Sequence, residues 1–399
     1  MKYLFTPIFL YILFVSSLNA QTLDDYVDQL SSHPEVLTLV SKSKKYYELA
    51  ESELSWPDPM VVLGVDNVPV DSFAFDDFLP TSKYIGFKQD IPNYSYRKAN
   101  SDRQLESSHK NDLIAHYLKS KLKAKLISML VEYEKINKQI YYSNQKLKLY
   151  KELENYYKGQ LDAGKPVYPR FSEIDIERTT VEQQLNEFIA KKEIVIAEFI
   201  RLVDEVPQIK IRNLTQNKYS HLESVYPIEI TKRNVLISQH KISAAKAEYY
   251  PDYSTKFVYK QREDGPGFTG EDWFSFEIML SIPLWYHTNQ DPKLRAAKAE
   301  KQSSLDNLEN IKRNWVKFFS AMNSQIQEAR NNIHLLNEKL TSLNELVDAL
   351  SRNYESGKNN LDTVIHAKIN LLSIHILLES QKAKHFSLIA EYNSHIIGN

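Results

Sequence analysis

Asp362 and His366 are the residues in this chain of 399 whose types and spacing most suggest chemistry. They lie four positions apart in a helical pattern, so their side chains share one helix face. A carboxylate beside an imidazole can attract a cation and respond to pH, although an ordinary solvated helix face explains the pair as well. His375 and His385 follow at spacings of 9 and 10 residues, which do not share a helix face well and argue against a zinc site.

The remaining composition argues against catalysis. The sequence holds no His-Glu-x-x-His, no Gly-x-Ser-x-Gly and no phosphate loop, and its nine glycines are few for its length. It has no cysteine, which excludes disulfides, thiolate metal sites, a cysteine nucleophile and a lipid-modified N-terminal cysteine. Its 50 basic and 51 acidic side chains nearly cancel, which argues against nucleic acid as a partner. We therefore predict that the protein is not an enzyme and has no cofactor and no metal site.

Two short turns carry the same residue pair. Gly164-Lys165 and Gly357-Lys358 each follow one long helical pattern and precede another. Glycine adopts the left-handed conformation that ends many helices, and lysine interacts favourably with the negative end of the helix dipole. We predict that both turns are helix C-caps that reverse the chain into a partner helix.

Residues 1–20 are typical of a secretory signal peptide. Lys2 precedes a mostly apolar run, and Ala20 is a small residue before the expected cleavage site. The run is shorter than the ~20 apolar residues of a spanning helix, which weighs against the alternative, a single membrane anchor. No later window resembles a transmembrane helix, so we expect an exported chain that begins near Gln21.

The mature sequence contains an internal duplication. Four landmarks of the first half recur in the second half, in the same order and at shifts of 191 to 194 residues. The pairs are His33-Pro34-Glu35-Val36 with Tyr226-Pro227-Ile228-Glu229, Trp56-Pro57-Asp58 with Tyr250-Pro251-Asp252, Asp90-Ile91-Pro92 with Ser281-Ile282-Pro283, and Ala163-Gly164-Lys165 with Ser356-Gly357-Lys358. We expect a first repeat over 21–205, a linker over 206–225 and a second repeat over 226–399.

Each repeat combines strands and helices in the order helix–strand–strand–helix–helix. Apolar and polar residues alternate over 83–91, 253–261 and 273–282, and less cleanly over 60–66. In the last strand of the chain, the apolar face carries Phe274, Phe276, Ile278 and Leu280. Strands near ten residues long suit a membrane, where this face would contact lipid, but a soluble sheet with one buried face has the same pattern.

Long helices make up most of each repeat. From Ser95 to about Tyr157, and from Pro292 to about Tyr354, no glycine or internal proline interrupts the pattern. A helix of ~60 residues is roughly 90–100 Å long, which exceeds any compact domain of this size. Apolar residues step by 3 and 4 along both segments, which predicts coiled-coil packing. These residues are Leu122, Leu126, Met129, Tyr133, Ile136 and Ile140, and then Ala329, Ile333, Leu336, Leu340, Leu343, Val347, Leu350 and Tyr354.

Four strands in one chain cannot close a barrel. An open sheet in lipid would leave the amides at its edges without hydrogen-bond partners, and known spanning barrels start at about eight strands. If the strands enter a membrane, several copies must therefore combine. Three copies give about twelve strands and a wall of long helices.

The sequence resembles the TolC-type outer-membrane efflux channels in the order of its elements and in the Ile-Pro after the second strand of each half, Ile91-Pro92 and Ile282-Pro283. The stretch Pro57-Asp58-Pro59-Met60, with Asp66-Asn67-Val68-Pro69 after it, is similar to the branch that serves heavy-metal cation efflux. The resemblance implies a mainly α protein with β. It would form a homotrimeric twelve-strand outer-membrane β-barrel, continued by a long periplasmic α-helical coiled-coil tunnel. Ser95-Tyr96-Arg97 departs from the Gly-Lys-Arg that members often have there.

The same resemblance implies partners and residue roles. The partners would be outer-membrane lipid, a periplasmic adaptor and an inner-membrane pump. Gly164-Lys165 and Gly357-Lys358 would form the periplasmic tip that contacts the adaptor, and Asp362 with His366 would line the tunnel constriction. In a trimer, this pair would place three carboxylates around one axis, which favours cations.

The function implied by the resemblance is a passive exit duct for a substrate, heavy-metal cations, that the pump expels. Two alternatives stay open: a non-channel periplasmic coiled-coil scaffold whose strands form a soluble hairpin, and a duct for drugs or other organic compounds. A secreted enzyme is a third class, and no group of residues supports it.

Overall fold

The computed structural model describes residues 21–217 and 224–398, so the signal peptide expected over 1–20 lies outside the described residues. The described chain is mainly helical, with one small sheet. Its main elements are α1 (Leu23–Gln29), α2 (Pro34–Leu54), β1 (Met60–Asp66), β2 (Ser82–Ile91), α3 (Tyr94–Asp162), α4 (Tyr168–Val203), α5 (Tyr226–Ala247), β3 (Tyr253–Gln261), β4 (Trp273–Leu280), α6 (Gln290–Glu355) and α7 (Leu361–Ser394).

Two very long helices set the length of the molecule. α3 has 69 residues and α6 has 66, so each is about 100 Å long at a rise of about 1.5 Å per residue. At the start of α3, the side chain of Asn93 accepts a hydrogen bond from the backbone N–H of Ser95 at 2.8 Å, as an N-cap residue does. Pro292 lies in the first turn of α6, where a missing N–H removes no helical hydrogen bond.

Two shorter helices lie end to end along α3. The start of α2 and the end of α4 meet beside the middle of α3, in one apolar cluster. Its fully buried members include Leu30, Leu126 and Phe199. Each such side chain contributes about 1.5–3 kcal/mol by leaving water. α2 therefore covers the first half of α3, and α4 covers its second half.

The second half of the chain repeats this arrangement around α6. The start of α5 and the end of α7 meet beside the middle of α6, where Ile228, Phe319 and Ile389 are buried together. Two backbone hydrogen bonds join these ends: Tyr226 N–H donates to the carbonyl of His395 at 3.0 Å, and Ile397 N–H donates to Ser224 at 2.8 Å. The described elements thus follow the order helix–strand–strand–helix–helix twice.

α3 also joins the two halves. It packs against α2, α4, α5 and α7, whereas α6 packs against α5 and α7. The predicted heptad residues Leu126 and Ile136 are fully buried, but residues outside that seam, among them Ile127 and Leu130, are buried as well. The heptad pattern predicts a single seam because it describes only one face of a helix. In the structure, α3 has neighbouring helices on several faces.

The four strands form one antiparallel sheet in the order β1-β2-β3-β4. Ile91 of β2 pairs with Tyr253 of β3, so the central pairing connects the two halves of the chain. Within residues 21–217 and 224–398, the outer edges of β1 and β4 have no strand partner. The sheet of one chain is therefore open at both sides.

The last helix corrects one expectation. No window after residue 20 was expected to resemble a transmembrane helix, yet α7 is long and apolar enough to cross a membrane by length and composition. Its apolar residues instead pack along the other long helices: Ile365 and Ile369 lie against α3, and Ile374 and Leu378 lie against α6. α7 thus contacts long helices on two sides, α3 and α6.

Candidate functional site

One face of the sheet is apolar across all four strands. The strand register aligns Val61, Phe87, Phe257 and Phe276 in one row, and Leu63, Ile85, Tyr259 and Phe274 in the next. No helix in the described chain covers this face: Phe276 is 65% exposed and Leu63 is 69% exposed. The four residues predicted to face lipid, Phe274, Phe276, Ile278 and Leu280, lie on this face and are all exposed. We call it the apolar sheet face.

The opposite face of the sheet is polar and carries both signs of charge. Lys260 pairs with Asp66 at 2.6 Å across three strands, and Lys256 lies 3.9 Å from Glu277 on the neighbouring strand. Two glycines, Gly64 and Gly86, also lie on this face. This face is less exposed than the apolar sheet face: Val258 is 2% exposed, and Lys256 and Lys260 are partly buried.

The two predicted helix caps have the same geometry. Gly164 and Gly357 adopt left-handed conformations, with φ of 79° and 70°. Lys165 N–H donates to the carbonyl of Gln160 at 3.1 Å, and Lys358 N–H donates to Asn353 at 2.8 Å. These bonds satisfy carbonyls that a helix end otherwise leaves open. A side chain at either glycine would meet no other atom, so the requirement for glycine comes from the backbone conformation alone.

Asp362 and His366 form the predicted pair on one face of α7. Oδ1 of Asp362 lies 3.0 Å from Nε2 of His366, and about a quarter of the Asp362 side chain is exposed. The carboxylate also accepts a hydrogen bond from Tyr157, near the end of α3. Burial and this hydrogen bond raise the pKa of Tyr157 to about 12. The pair therefore lies between α7 and α3, just beyond the Gly357 turn.

The three histidines of α7 do not come together. His375 stacks on Tyr142 of α3 with ring centroids 5.0 Å apart, while His385 lies beside Phe386 and near Arg330. Burial lowers the pKa of both imidazoles. Across the described ranges 21–217 and 224–398, no group of three or more His, Cys, Asp or Glu side chains could hold a metal ion.

A buried ionic cluster joins α3 to α7, and the sequence analysis missed it. Glu379 is 7% exposed and lies 2.8 Å from Lys138 and 2.9 Å from Lys382. Burial opposes ionisation of Glu379, but the hydrogen bonds from both lysines outweigh it and lower the pKa of the carboxyl. Gln139 donates to Ser380 at 3.0 Å beside this cluster. The sequence feature that indicates this cluster is a run of polar residues on a helix face. In a uniform coiled coil, that face would carry apolar residues.

Comparisons with known proteins agree on the fold. Residues 234–379 match the family of outer membrane efflux proteins. No curated protein sequence matches the chain. Among solved structures, CusC, described with its transmembrane channel formation, is 13% identical with a TM-score of 0.78 and covers 94% of this chain and 92% of its own.

Two further structures are similar over the same extent. The open state of the outer membrane channel MtrE from Neisseria gonorrhoeae is 14% identical with a TM-score of 0.74, over 94% of this chain and 89% of that chain. The outer membrane protein VceC from Vibrio cholerae is 13% identical with a TM-score of 0.73, over 93% of this chain and 95% of that chain. More than nine-tenths of the chain thus shares the fold of these proteins.

Proposed function

We propose that the protein is the outer-membrane channel of a tripartite efflux system, a passive duct for substrate expelled by an inner-membrane pump through a periplasmic adaptor. The observation that carries this proposal is the open four-stranded sheet with its uncovered apolar sheet face, set on helices about 100 Å long. The sheet of a single chain is not stable in lipid, because the amides at its edges lack hydrogen-bond partners. Helices of this length also exceed the size of a compact enzyme domain. The family match and the shared fold support the same function.

Trimer formation follows from the edges of the sheet. β1 of one copy would pair with β4 of the next, so three copies would close a barrel of about twelve strands with no edge amides left in lipid. The apolar sheet face would then contact lipid, and the charged face would line a water-filled interior. A soluble scaffold would need another surface to cover the apolar sheet face.

The helices would form the periplasmic tunnel in the same trimer. α6 carries exposed Val316, Leu335 and Leu346, and α4 carries exposed Ile176 and Ile194. Large apolar side chains on helix faces at both sides of the chain fit contacts between neighbouring copies. In this arrangement the repeats 21–205 and 226–399, joined by the linker 206–225, contribute equivalent parts of the wall.

We further propose that the two glycine turns contact the adaptor. Both turns lie at helix ends remote from the sheet, and both expose a lysine beside a fixed backbone shape. The substrate would be heavy-metal cations, as the resemblance of the Pro57-Asp58-Pro59-Met60 stretch to the heavy-metal branch implies. A duct for organic compounds remains the second candidate, because the charged sheet face carries both signs and does not select cations by itself.

Crosslinking tests the trimer directly, because the native chain has no cysteine. We expect a variant with Leu63→Cys on β1 and Phe276→Cys on β4 to give trimers when membranes are treated with a thiol-reactive crosslinker. In the matched control, Phe87→Cys with Phe257→Cys, the two thiols are aligned partners within one chain, so the mass should not change. Monomers alone from the first variant, or release of the protein without detergent, would favour the soluble scaffold.

We predict that Asp362→Asn weakens cation preference and enlarges single-channel conductance. If the Asp362–His366 face looks toward the threefold axis, three carboxylates meet in a narrow space and hold cations there. Planar-bilayer recording measures both properties. Asp175→Asn, an exposed acid on α4, is the control and should change neither. Unchanged selectivity and conductance in both Asp362→Asn and His366→Ala would assign the pair to a solvated helix face.

A further inference from the structure

A cavity of about 810 Å³ opens between α6 and α7, near the middle of the long helices. Its walls include Asn323 and Arg330 of α6 and the last turns of α7, and the segment 213–217, which follows α4, closes one side. Asn323 lies about 50 Å along α6 from its first residue, Gln290. The cavity shares no residue with the sheet or with the glycine turns.

Hydrogen bonds hold the segment 213–217 against both helices. The Gln216 side chain donates to Oδ1 of Asn323 on α6 at 2.5 Å. Asn217 N–H donates to the Asn393 side chain on α7 at 2.9 Å, and Asn393 donates in turn to the Thr215 carbonyl at 2.8 Å. The cavity is therefore closed on this side by a wall that the fold itself fixes.

The titratable side chains in the wall are basic. Arg330 and His385 both line the cavity, and none of the described residues that line it is acidic. Across 21–217 and 224–398, Arg330 has no ion-pair partner. Glu328, two residues earlier on α6, pairs instead with Lys384 at 3.2 Å. The guanidinium thus offers its N–H donors to the cavity without a counter-charge from the described chain.

The imidazole of His385 independently indicates a ligand. Its Nε2 atom is buried and has no hydrogen-bond partner among the residues that the structure describes. Burial of the ring and the positive charge of Arg330 both lower the pKa of His385, so the imidazole is neutral at pH 7 and carries one N–H. Buried polar atoms in folded proteins nearly always have a partner. An oxygen atom bound beside both residues would accept hydrogen bonds from each.

The size and the other lining groups indicate an organic ligand. Cavities of about 300–1,000 Å³ hold organic molecules of drug size, whereas an inorganic ion would fill only a small part of this one. The remaining wall is rich in amide side chains and also carries aromatic rings: Asn213, Gln216, Asn217 and Asn323, with Phe386 and Tyr392. Amides both donate and accept hydrogen bonds, and rings pack against apolar groups. Recognition can therefore extend beyond a single charged group.

We propose that this cavity is a binding site for an organic carboxylate that also carries amide or aromatic groups. Arg330 would donate two parallel hydrogen bonds to the carboxylate, because the guanidinium fork matches its two oxygens. His385 would donate to the same group through Nε2, and the amides and rings would contact the rest of the molecule. Arg330 would repel the heavy-metal cations proposed above as substrate. The site is formed within one chain and does not depend on the channel function.

Hippurate is a suitable probe, because it joins a carboxylate, an amide and a benzene ring in one small molecule. Hippuramide, in which a second amide replaces the carboxylate, is the matched uncharged control. Titrations followed by saturation-transfer NMR on the detergent-solubilised protein give both affinities, and inorganic phosphate at the concentration of hippurate is the competitor. The variants are Arg330→Gln and a control, Arg313→Gln, which removes an exposed arginine of α6 that pairs with Glu309 outside the cavity.

We expect the native protein to bind hippurate but not hippuramide, and Arg330→Gln to bind hippurate about 10- to 100-fold more weakly, as the loss of charged hydrogen bonds predicts. Arg313→Gln should bind as the native protein does. No binding of hippurate, equal binding of hippurate and hippuramide, or unchanged affinity in Arg330→Gln would overturn the site. Displacement of hippurate by phosphate would overturn the organic ligand, since charge alone would then suffice. Circular dichroism checks that each variant has formed its helices, and crosslinking tests the channel separately.

Discussion

Phe276→Arg is expected to abolish assembly of the protein in the outer membrane. Phe276 lies in the middle of β4, in a row of four apolar residues that crosses the whole sheet. An arginine on the lipid face of a barrel costs about 2–4 kcal/mol near the bilayer midplane. Three copies in a trimer each carry that cost, so even a modest penalty per chain is multiplied. Ile278→Arg, two residues further along the same face, should have the same effect.

Ser275→Arg is the matched control for this prediction. Ser275 is the neighbour of Phe276 on the same strand and at nearly the same depth, but it lies on the opposite, charged face of the sheet. We expect this variant to assemble, because its guanidinium would be in water. The measurement is the yield of trimer in the outer-membrane fraction. Normal yield from both Phe276→Arg and Ile278→Arg would mean that the face does not contact lipid, and would favour a soluble hairpin.

The stability of the region around His395 is expected to fall by about 3 kcal/mol as the pH decreases from 6.5 to 4. His395 is 6% exposed and lies among the rings of Tyr117, Trp315 and Phe318. Its Nδ1 lies 2.7 Å from the Tyr117 hydroxyl. Among the described residues, its Nε2 has no hydrogen-bond partner. Burial, with a smaller contribution from Lys121, lowers the pKa of His395 to about 4.

The direction of the pH effect follows from this lowered pKa. Above pH 6.5 the imidazole is neutral in the folded and the unfolded chain, and the full stability is present. Between pH 6.5 and 4 the unfolded chain binds a proton that the folded chain does not, so the free energy of unfolding decreases with each unit of acidification. Below about pH 4 both states are protonated and the loss is complete.

Urea unfolding at pH 7 and pH 4.5 measures this effect, and Trp315 is a local probe because its ring centroid lies 4.7 Å from that of His395. We expect the difference between the two pH values to shrink in His395→Gln, which keeps a hydrogen-bonding partner for Tyr117. His334→Gln, an exposed histidine on α6, should retain the full difference. Equal pH dependence in the native protein and His395→Gln would show that another group is responsible.

The helices, strands and turns of this protein are predictable from its sequence, because their signals are local. The absence of proline and glycine between Ser95 and Tyr157 predicted a helix, and α3 spans Tyr94–Asp162. Alternation of apolar and polar residues identified β2, β3 and β4 with their apolar faces, and β1 less cleanly, because successive side chains of a strand point to opposite sides. Glycine at 164 and 357 predicted helix caps, because few other residues adopt positive φ without strain.

The contacts between these elements are not predictable from local patterns and are seen only in the folded chain. The pairing of β2 with β3, which joins the two halves, depends on hydrogen bonds between segments far apart in the chain, and no local pattern encodes their partner. The contact of Asp362 with Tyr157 and the burial of His395 likewise arise where helices from different halves pack together.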